Sequence, residues 1–196
     1  MAGAALKQAV YADLEALPET VVGEIIDGVL ETHPRPRPRH ARALGRLNNR
    51  LTSRFEEGEG EPGGWVFLIE PEVHLGSHIV VPDICGWRIA RLPAEPPTAF
   101  VDVAPDWVCE ILSPSTARLD RGSKRRIYAM AGVSHYWLLD PSAGELEVAE
   151  RAGRQWLLLA TVQRGEPVQA APFDAVSFAL NDLFPFDPPD PPSTEA

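Results

Sequence analysis

The segment that decides the fold is APDWVCEILSPSTARLDRGSKRRIYAMAGVSHYWLLDP, residues 104–141. Its apolar runs at residues 106–112 and 135–140 predict two buried strands. Between them, residues 118–131 carry apolar side chains at helical spacing, and Gly132 follows as a typical helix stop. The order is therefore β-α-β.

Upstream of this segment, the sequence predicts a helix, a hairpin and a second helix. The first helix covers residues 6–17, and the hairpin covers residues 21–31 with a turn at Asp27-Gly28. The second helix covers residues 41–55, directly after the proline-rich stretch HPRPRPRH. Its apolar face is formed by Leu44, Leu47, Leu51 and Phe55.

Four further strands complete the predicted elements. Residues 65–75 and 78–85 predict two strands joined at Gly76-Ser77, and residues 145–150 and 155–162 predict two more.

Together these elements predict an α/β fold in which a central mixed β-sheet is flanked by helices. The predicted domain covers residues 1–186. Residues 187–196 form a proline-rich, acidic tail with the composition of disorder.

The composition is that of a soluble globular protein. The chain has 196 residues, 44% of them hydrophobic, which suffices for one sizeable core. No run approaches the roughly 18 uncharged apolar residues of a membrane span, and the first residues do not form a secretory signal. We expect a cytoplasmic protein with no membrane partner. Cys85 and Cys109 lie inside predicted strands, which favours buried free thiols over a disulfide.

Basic residues are concentrated in two segments although the formal net charge is −10. Seven arginines and no acid lie between Arg35 and Arg54, and the second segment contributes Arg118, Arg121, Lys124, Arg125 and Arg126. Such clusters are either solvated helix faces or surfaces for phosphate backbones. Arg42, Arg46 and Arg50 recur every four residues, which predicts an exposed stripe on the second helix and a candidate DNA contact.

Two carboxylates interrupt apolar strands. Asp83 ends the run HIVVPD, and Glu110 lies inside DWVCEIL. A carboxylate in a buried strand costs several kcal/mol unless something compensates its charge. Two acids from neighbouring strands can supply ligands for Mg²⁺. The alternative is that each acid pairs with an arginine or caps a loop.

Lys124 shares a helix side with Ile127, Tyr128 and Ala131. A lysine that faces the sheet can orient a water or stabilise charge on a phosphate during attack. In that role, replacing it with alanine is expected to leave folding nearly intact. Alternatively, the side chain extends to solvent and pairs with Asp120, four residues earlier.

The stretches PEVHL and VVPDI, together with residues 104–141, resemble the Uma-two family of PD-(D/E)XK endonucleases. The resemblance covers roughly residues 11–184. It implies a restriction-endonuclease-like fold and a divalent cation, Mg²⁺ or Mn²⁺.

The resemblance also implies site residues. Asp83 matches the aspartate of the motif, Glu110 the second acid, and the Ile111 carbonyl a further metal ligand. Leu112 stands where the motif has its lysine, and the resemblance implies that Lys124 takes this role.

Two further positions match the family pattern. Glu24 in GEIIDG would complete the metal shell, although a glutamate beside a turn is usually a solvated surface residue. His40 would contact substrate, although such a histidine more often caps or packs a helix start.

His74 and His78 have a spacing that suits zinc on a helix, but Gly76-Ser77 predicts a turn between them.

These observations predict a metal-dependent endonuclease that hydrolyses phosphodiester bonds, with DNA as the expected substrate and a homodimer as the expected assembly. The alternatives are an inactive nucleic-acid-binding or regulatory module on the same fold, and a hydrolase of another phosphoester. Neither a GxxxxGK phosphate loop nor a nucleophile elbow is present, so nucleotide hydrolysis and acyl transfer have no support.

Overall fold

The computed structural model describes residues 8–56 and 63–184, which form a six-stranded, a four-stranded and a two-stranded β-sheet together with helices and helical turns. In chain order the elements are α1 (Tyr11–Glu15), β1 (Val21–Ile26), β2 (Val29–Pro34), α2 (Pro38–Phe55), β3 (Trp65–Ile69), β4 (Val73–Leu75), β5 (His78–Val80), β6 (Ile84–Arg88), β7 (Trp107–Ile111), α3 (Ala117–Leu119), a π-helical turn (Asp120–Lys124), α4 (Arg125–Ala131), β8 (His135–Asp140), β9 (Glu145–Ala152), β10 (Gln155–Gln163), β11 (Pro167–Val168), β12 (Phe178–Ala179) and a 3-10 turn (Leu180–Leu183). The predicted tail at residues 187–196 lies outside the described residues.

The larger sheet has the strand order β10-β9-β8-β7-β6-β3, and the smaller sheet has the order β2-β1-β5-β4. Strands β7 and β8 are parallel, and the other neighbours in the larger sheet are antiparallel. The predicted α/β class with a central mixed sheet is confirmed. The strand-helix-strand order of residues 104–141 is confirmed as well, because α3, the π-helical turn and α4 connect this parallel pair.

The larger sheet is covered on both faces. On one face, Leu47 and Leu51 of α2 pack with Cys109 and Ile111 of β7. On the other face, Val108 packs with residues of α4 and of the smaller sheet. Because side chains alternate along a strand, Glu110 shares the face of Val108 and lies on the side of α4.

The predicted hairpin at residues 21–31 is confirmed. Asp27 and Gly28 both have positive φ, 53° and 77°, as the tight two-residue hairpin turn requires. This turn fixes the register of β1 against β2, with Glu24 opposite Glu31 and Val22 opposite His33.

Two predicted strands are wrong as continuous elements. Residues 65–75 divide into β3 and β4, and residues 78–85 divide into β5 and β6, so that the halves belong to different sheets. Glu70 has a φ of 47° and is followed by Pro71, and Pro82 cannot donate a ladder hydrogen bond. Asp83 therefore does not end a strand but forms the bend before β6.

Three predicted helices have different bounds. α1 covers Tyr11–Glu15 instead of residues 6–17, of which residues 6 and 7 lie outside the described residues, and the backbone N–H of Ala9 donates to the Gly28 carbonyl. α2 begins at Pro38, where proline at the first turn is tolerated because no intrahelical donor is needed there.

The crossover helix begins at Ala117 and contains the π-helical turn, while Gly132 ends it with a φ of 91° as predicted. π-Helical turns often occur at functional sites.

Within residues 8–56 and 63–184, no helix is long and apolar enough to cross a membrane. Cys85 and Cys109 are buried free thiols, as the sequence predicts.

Candidate active site

A cleft of about 520 Å³ is lined by five of the residues that the sequence predicts for the site. They are Glu24, His40, Asp83, Glu110 and Lys124. Glu24 comes from the smaller sheet, Glu110 from the larger sheet, and His40 from the first turn of α2. The cleft therefore lies where the two sheets and the beginning of α2 meet.

Asp83 and Glu110 lie side by side. Asp83 Oδ2 accepts a hydrogen bond of 2.6 Å from the backbone N–H of Ile111, the residue after Glu110. Glu110 Oε2 lies 3.4 Å from the backbone nitrogen of Asp83. The N–H and C=O of one strand residue point to the same edge of the strand, so the Ile111 carbonyl is directed toward Asp83 as well.

Lys124 is buried, with 3% of its surface exposed. Its Nζ lies 2.9 Å from Glu24 Oε1 and 2.9 Å from Glu110 Oε1, and it donates to the Val81 carbonyl at 3.3 Å. The prediction that Lys124 faces the sheet is confirmed, and the alternative of a lysine that extends to solvent is wrong. Asp120 Oδ1 lies further away, at 3.7 Å.

The pKa values of Lys124 and Glu24 show which charges this cluster stabilises. Burial lowers the pKa of Lys124, but the charges of Glu110, Glu24 and Asp120 outweigh it and raise the pKa above its usual value. Burial raises the pKa of Glu24, but the charge of Lys124 and a hydrogen bond with His33 outweigh it and lower the pKa to about 2. Glu24 and Lys124 are therefore both charged at neutral pH.

For Glu110 and Asp120, burial outweighs the opposing charge of Lys124. Burial raises the pKa of Glu110 well above its usual value, and repulsion from Asp120, Asp83 and Glu24 adds to the effect. Burial also raises the pKa of Asp120, to about 6, despite the opposing charge of Lys124. Four acids, Glu24, Asp83, Glu110 and Asp120, line the cleft together with Lys124.

Two histidines hold the acids from the side of α2 and β2. His40 Nε2 lies 3.1 Å from Asp83 Oδ1, and His33 Nε2 lies 3.2 Å from Glu24 Oε2. Burial lowers the pKa of His40, but the hydrogen bond and charge of Asp83 raise it further, to above its usual value. Asp83 therefore stays paired with a histidine that readily takes up a proton.

Two contacts of the acids are not predicted from the sequence, those of His33 and of the Tyr128 hydroxyl. Tyr128 is buried, and its hydroxyl donates to Glu110 Oε1 at 2.5 Å. The hairpin register could have identified His33, because Val22 opposite it is two residues from Glu24 and therefore shares its face.

The arginine stripe on α2 differs from the prediction. Arg42 is exposed, but Arg46 and Arg50 are half-buried. Arg46 donates to the backbone carbonyl of Asp182 at 2.8 Å, and Arg50 pairs with the Asp182 carboxylate at 2.6 Å. These side chains line a separate groove beside β12 rather than the cleft of Asp83.

The second basic segment is largely paired with acids on the protein surface. Arg121 and Arg125 both contact Glu147, and Arg126 pairs with Asp27 at 2.6 Å. These contacts favour the interpretation of a solvated helix face for this segment, with Lys124 as its buried exception.

His74 and His78 lie on either side of the predicted turn at Gly76-Ser77, which is confirmed. The His74 ring stacks on Phe100 with centroids 3.8 Å apart, and the Asp27 backbone N–H donates to His78 Nδ1. The two histidines therefore have separate partners.

The donor set of the cleft suits a hard cation that keeps several waters. Among residues 8–56 and 63–184, no three His, Cys, Asp or Glu side chains are arranged to hold one ion. Mg²⁺ does not need three, because one or two carboxylates with waters are its usual protein ligands. Asp83, Glu110 and the Ile111 carbonyl provide oxygen donors of this kind, and a cation would favour the charged form of Glu110.

Comparisons with known proteins point to one family. The Uma2 family model, described as "Putative restriction endonuclease", matches residues 11–181. A solved structure titled as a "putative nuclease belonging to DUF820" from Anabaena variabilis ATCC 29413 superposes with a TM-score of 0.71. The two chains are 23% identical, and the match covers 88% of this chain and 96% of that one. No curated protein matches the chain. The likeness in fold confirms the predicted restriction-endonuclease-like architecture.

Proposed function

The chain belongs to the Uma2 restriction endonuclease family, and on that premise we propose that it is a metal-dependent endonuclease that hydrolyses phosphodiester bonds in DNA. Mg²⁺ or Mn²⁺ is the proposed cofactor, with Asp83, Glu110 and the Ile111 carbonyl as ligands. Glu24 and Lys124 complete the catalytic set. A homodimer remains the proposed assembly, since two scissile strands suit a two-fold enzyme.

The observation that carries the proposal is the convergence of Asp83, Glu110 and Lys124 in one cleft. The Asp83 carboxylate and the Glu110 backbone are joined through the 2.6 Å hydrogen bond to Ile111. Glu110 Oε2 lies 3.4 Å from the Asp83 backbone nitrogen, and the other oxygen, Oε1, lies 2.9 Å from Lys124 Nζ. Buried acids of this density cost folding free energy, which is expected where a site is built to bind a cation and a phosphate.

The chemistry supplied by a bound cation is Lewis-acid activation of water and neutralisation of charge on the scissile phosphate. The protein's own residues orient the reactants. The hydrogen bond from the Ile111 backbone N–H and the contact with His40 fix the Asp83 carboxylate.

Lys124 has three protons and three near acceptors in this structure. The contact with the Val81 carbonyl is the longest, at 3.3 Å, and is therefore the one most readily exchanged for water or a phosphate oxygen. In that position Lys124 would orient the attacking water and stabilise the charge that develops on the phosphate.

The same observation supports a second candidate. Because protein acceptors occupy all three protons of Lys124, the cluster also fits a module that keeps the fold and binds nucleic acid without cleaving it. The two candidates differ in turnover, not in binding.

We expect the purified protein to nick or linearise supercoiled DNA in Mg²⁺ or Mn²⁺ and to leave it intact in EDTA, because the acidic cleft needs a cation to accept a phosphate. Supercoiled, linear and single-stranded DNA are incubated in parallel and analysed on gels. Binding without cleavage under every metal condition would contradict the endonuclease and favour the binding module.

The arginine stripe on α2, formed by Arg42, Arg46 and Arg50, can be tested as a DNA contact through the salt dependence of binding. Replacing Arg42 with alanine should reduce the slope of log affinity against log salt by about 0.9 if it contacts one phosphate of duplex DNA. Arg42 is the cleanest probe because Arg46 and Arg50 also hold Asp182.

The triple alanine variant should lose stability as well as affinity, and thermal melting separates the two effects. A salt slope in the triple variant equal to that of the unaltered protein would show that the stripe serves only to dock Asp182.

A further inference from the structure

We propose that residues 34–38, the sequence PRPRP and hereafter the arginine strap, form a binding site for a backbone phosphate of the nucleic acid, with Arg37 as the principal contact. This inference rests on the proposed function, because the phosphate belongs to the strand that the cleft would cleave. It assigns substrate binding at the cleft to the strap rather than to the stripe on α2.

Histidines on both sides of the arginine strap contact acids of the cleft. His33 directly precedes it and contacts Glu24 at 3.2 Å. His40 follows two residues after it and contacts Asp83 at 3.1 Å. Both histidines are buried, so the strap between them has a fixed position relative to the candidate metal ligands.

Alternating prolines make the strap stiff. Pro34, Pro36 and Pro38 each fix their own φ and also restrict the residue before them to extended backbone. Arg37 has this conformation, with φ −74° and ψ 158°. A stiff segment loses little conformational entropy when its side chains bind a ligand, which suits a preformed binding site.

Within the strap, Arg37 is the arginine whose charge is available to bind a ligand. Both Arg35 and Arg37 are exposed and line the cleft. Arg35 already donates to the Glu19 carbonyl at 2.7 Å. Arg37 has no ion pair or side-chain hydrogen bond with any residue in the described ranges 8–56 and 63–184. An unpaired guanidinium beside three buried acids and the half-buried Asp83 is well suited to bring a phosphate toward them, since it provides a planar pair of donors.

The cleft also presents hydroxyl groups. Ser113 Oγ lies 2.9 Å from Ser115 Oγ and 3.0 Å from Thr116 Oγ1, and all three residues line the same cleft. Hydroxyl groups are common phosphate contacts in protein–DNA complexes. A strand bound between the strap and these hydroxyls would place its next phosphate near Asp83 and Glu110. By contrast, Arg42, Arg46 and Arg50 line a different groove.

The test compares Arg37→Ala with Arg154→Ala, a matched variant of another exposed arginine in the turn between β9 and β10 that does not line the cleft. Binding of short fluorescein-labelled duplex and single-stranded DNA is measured by anisotropy in EDTA over a range of salt concentrations. Because EDTA prevents metal-dependent cleavage, the readout is independent of turnover.

We expect Arg37→Ala to weaken binding by about 3- to 10-fold at low salt and to reduce the salt slope by about 0.9 on duplex or about 0.7 on single-stranded DNA. Arg154→Ala should match the unaltered protein. Arg37→Lys should retain the slope but not the full affinity, because lysine keeps the charge without the planar pair of donors.

Equal affinity and slope in Arg37→Ala and Arg154→Ala would overturn the inference, as would an absence of DNA binding by the unaltered protein. Binding that depends on Arg37 in a protein that never cleaves DNA would support the strap while the endonuclease fails. Cleavage at the normal rate in Arg37→Ala, with unchanged binding, would support the endonuclease and overturn the role of the strap. Equal melting temperatures check that both variants fold.

Discussion

Replacing Lys124 with alanine should destabilise the folded protein by about 3–5 kcal/mol, because it leaves Glu24 and Glu110 buried without their shared counter-charge. This reverses the sequence-based expectation that folding would be nearly intact, which assumed a lysine with fewer protein contacts. Urea unfolding of the metal-free protein measures the change.

The loss in the Lys124→Ala variant should be smaller at acidic pH. In the unaltered protein, Glu24 has its pKa lowered to about 2, so its contribution is present above the ordinary value of 4.5 and is lost as the pH falls through about 2. Without Lys124, burial would instead raise the pKa of Glu24. An acid whose pKa is higher in the folded state binds more protons there, so the stability of the variant rises as the pH falls.

A double-mutant cycle isolates the buried ion pair. Lys124→Met combined with Glu110→Gln should cost less than the sum of the two single changes, because the double variant leaves neither charge of this pair alone. Additive changes in the free energy of unfolding would contradict a direct interaction between Lys124 and Glu110.

Lys124→Arg separates stability from catalysis. The guanidinium keeps the positive charge and should retain more stability than alanine, but it cannot readily replace a compact ammonium in a packed site. We therefore expect single-turnover cleavage to be lost in a folded protein. Full activity in Lys124→Ala or Lys124→Arg would remove this residue from the mechanism.

The part of the site on β7 and the crossover helix could be predicted because its signals are local. Glu110 stands out as a carboxylate in a strand that is otherwise buried and apolar. Lys124 stands out because Ile127 and Tyr128 follow it at helical spacing and are buried. Asp83 stands out as a carboxylate at the end of an apolar run, and the resemblance to a family then indicated Glu24. The π-helical turn at Lys124 could not be predicted, since its sequence is compatible with an ordinary helix.

The path of the chain around Asp83 was harder to predict because it depends on which sheet each strand joins. Apolar residues continue on both sides of Glu70-Pro71 and of Pro82-Asp83, so the apolar runs alone favoured long strands. Pro71 and Pro82 were the available signals, because proline interrupts a hydrogen-bonded ladder. The resulting bends transfer β4 and β5 to the smaller sheet and leave Asp83 facing the cleft.

Long-range contacts explain the error in the arginine stripe. Arg50 and Asp182 are 132 residues apart in the chain, yet they form an ion pair of 2.6 Å. The helical pattern correctly identified which residues lie opposite Leu47, but it could not show that a distant 3-10 turn covers part of that face. Spacing within one helix predicts orientation and not the partner.

The remaining prediction concerns Asp83, whose replacement by asparagine should reduce single-turnover cleavage on the order of 1,000-fold, equivalent to about 4 kcal/mol of transition-state stabilisation. Asparagine is similar in size but lacks the negative charge that a divalent cation needs. The affinity for Mn²⁺, measured by calorimetry without DNA, should therefore fall together with activity.

Asp106→Asn is the matched control for this variant. Asp106 accepts a backbone hydrogen bond from Arg88 and pairs with Arg91, as Asp83 accepts from Ile111 and pairs with His40. Their side chains are 16% and 15% exposed, and Asp106 does not line the cleft. Both variants should lose a similar amount of stability, about 1–3 kcal/mol for a charge-assisted hydrogen bond. Only Asp83→Asn should lose Mn²⁺ binding and cleavage, and equal behaviour of the two variants in both assays would exclude Asp83 as a metal ligand.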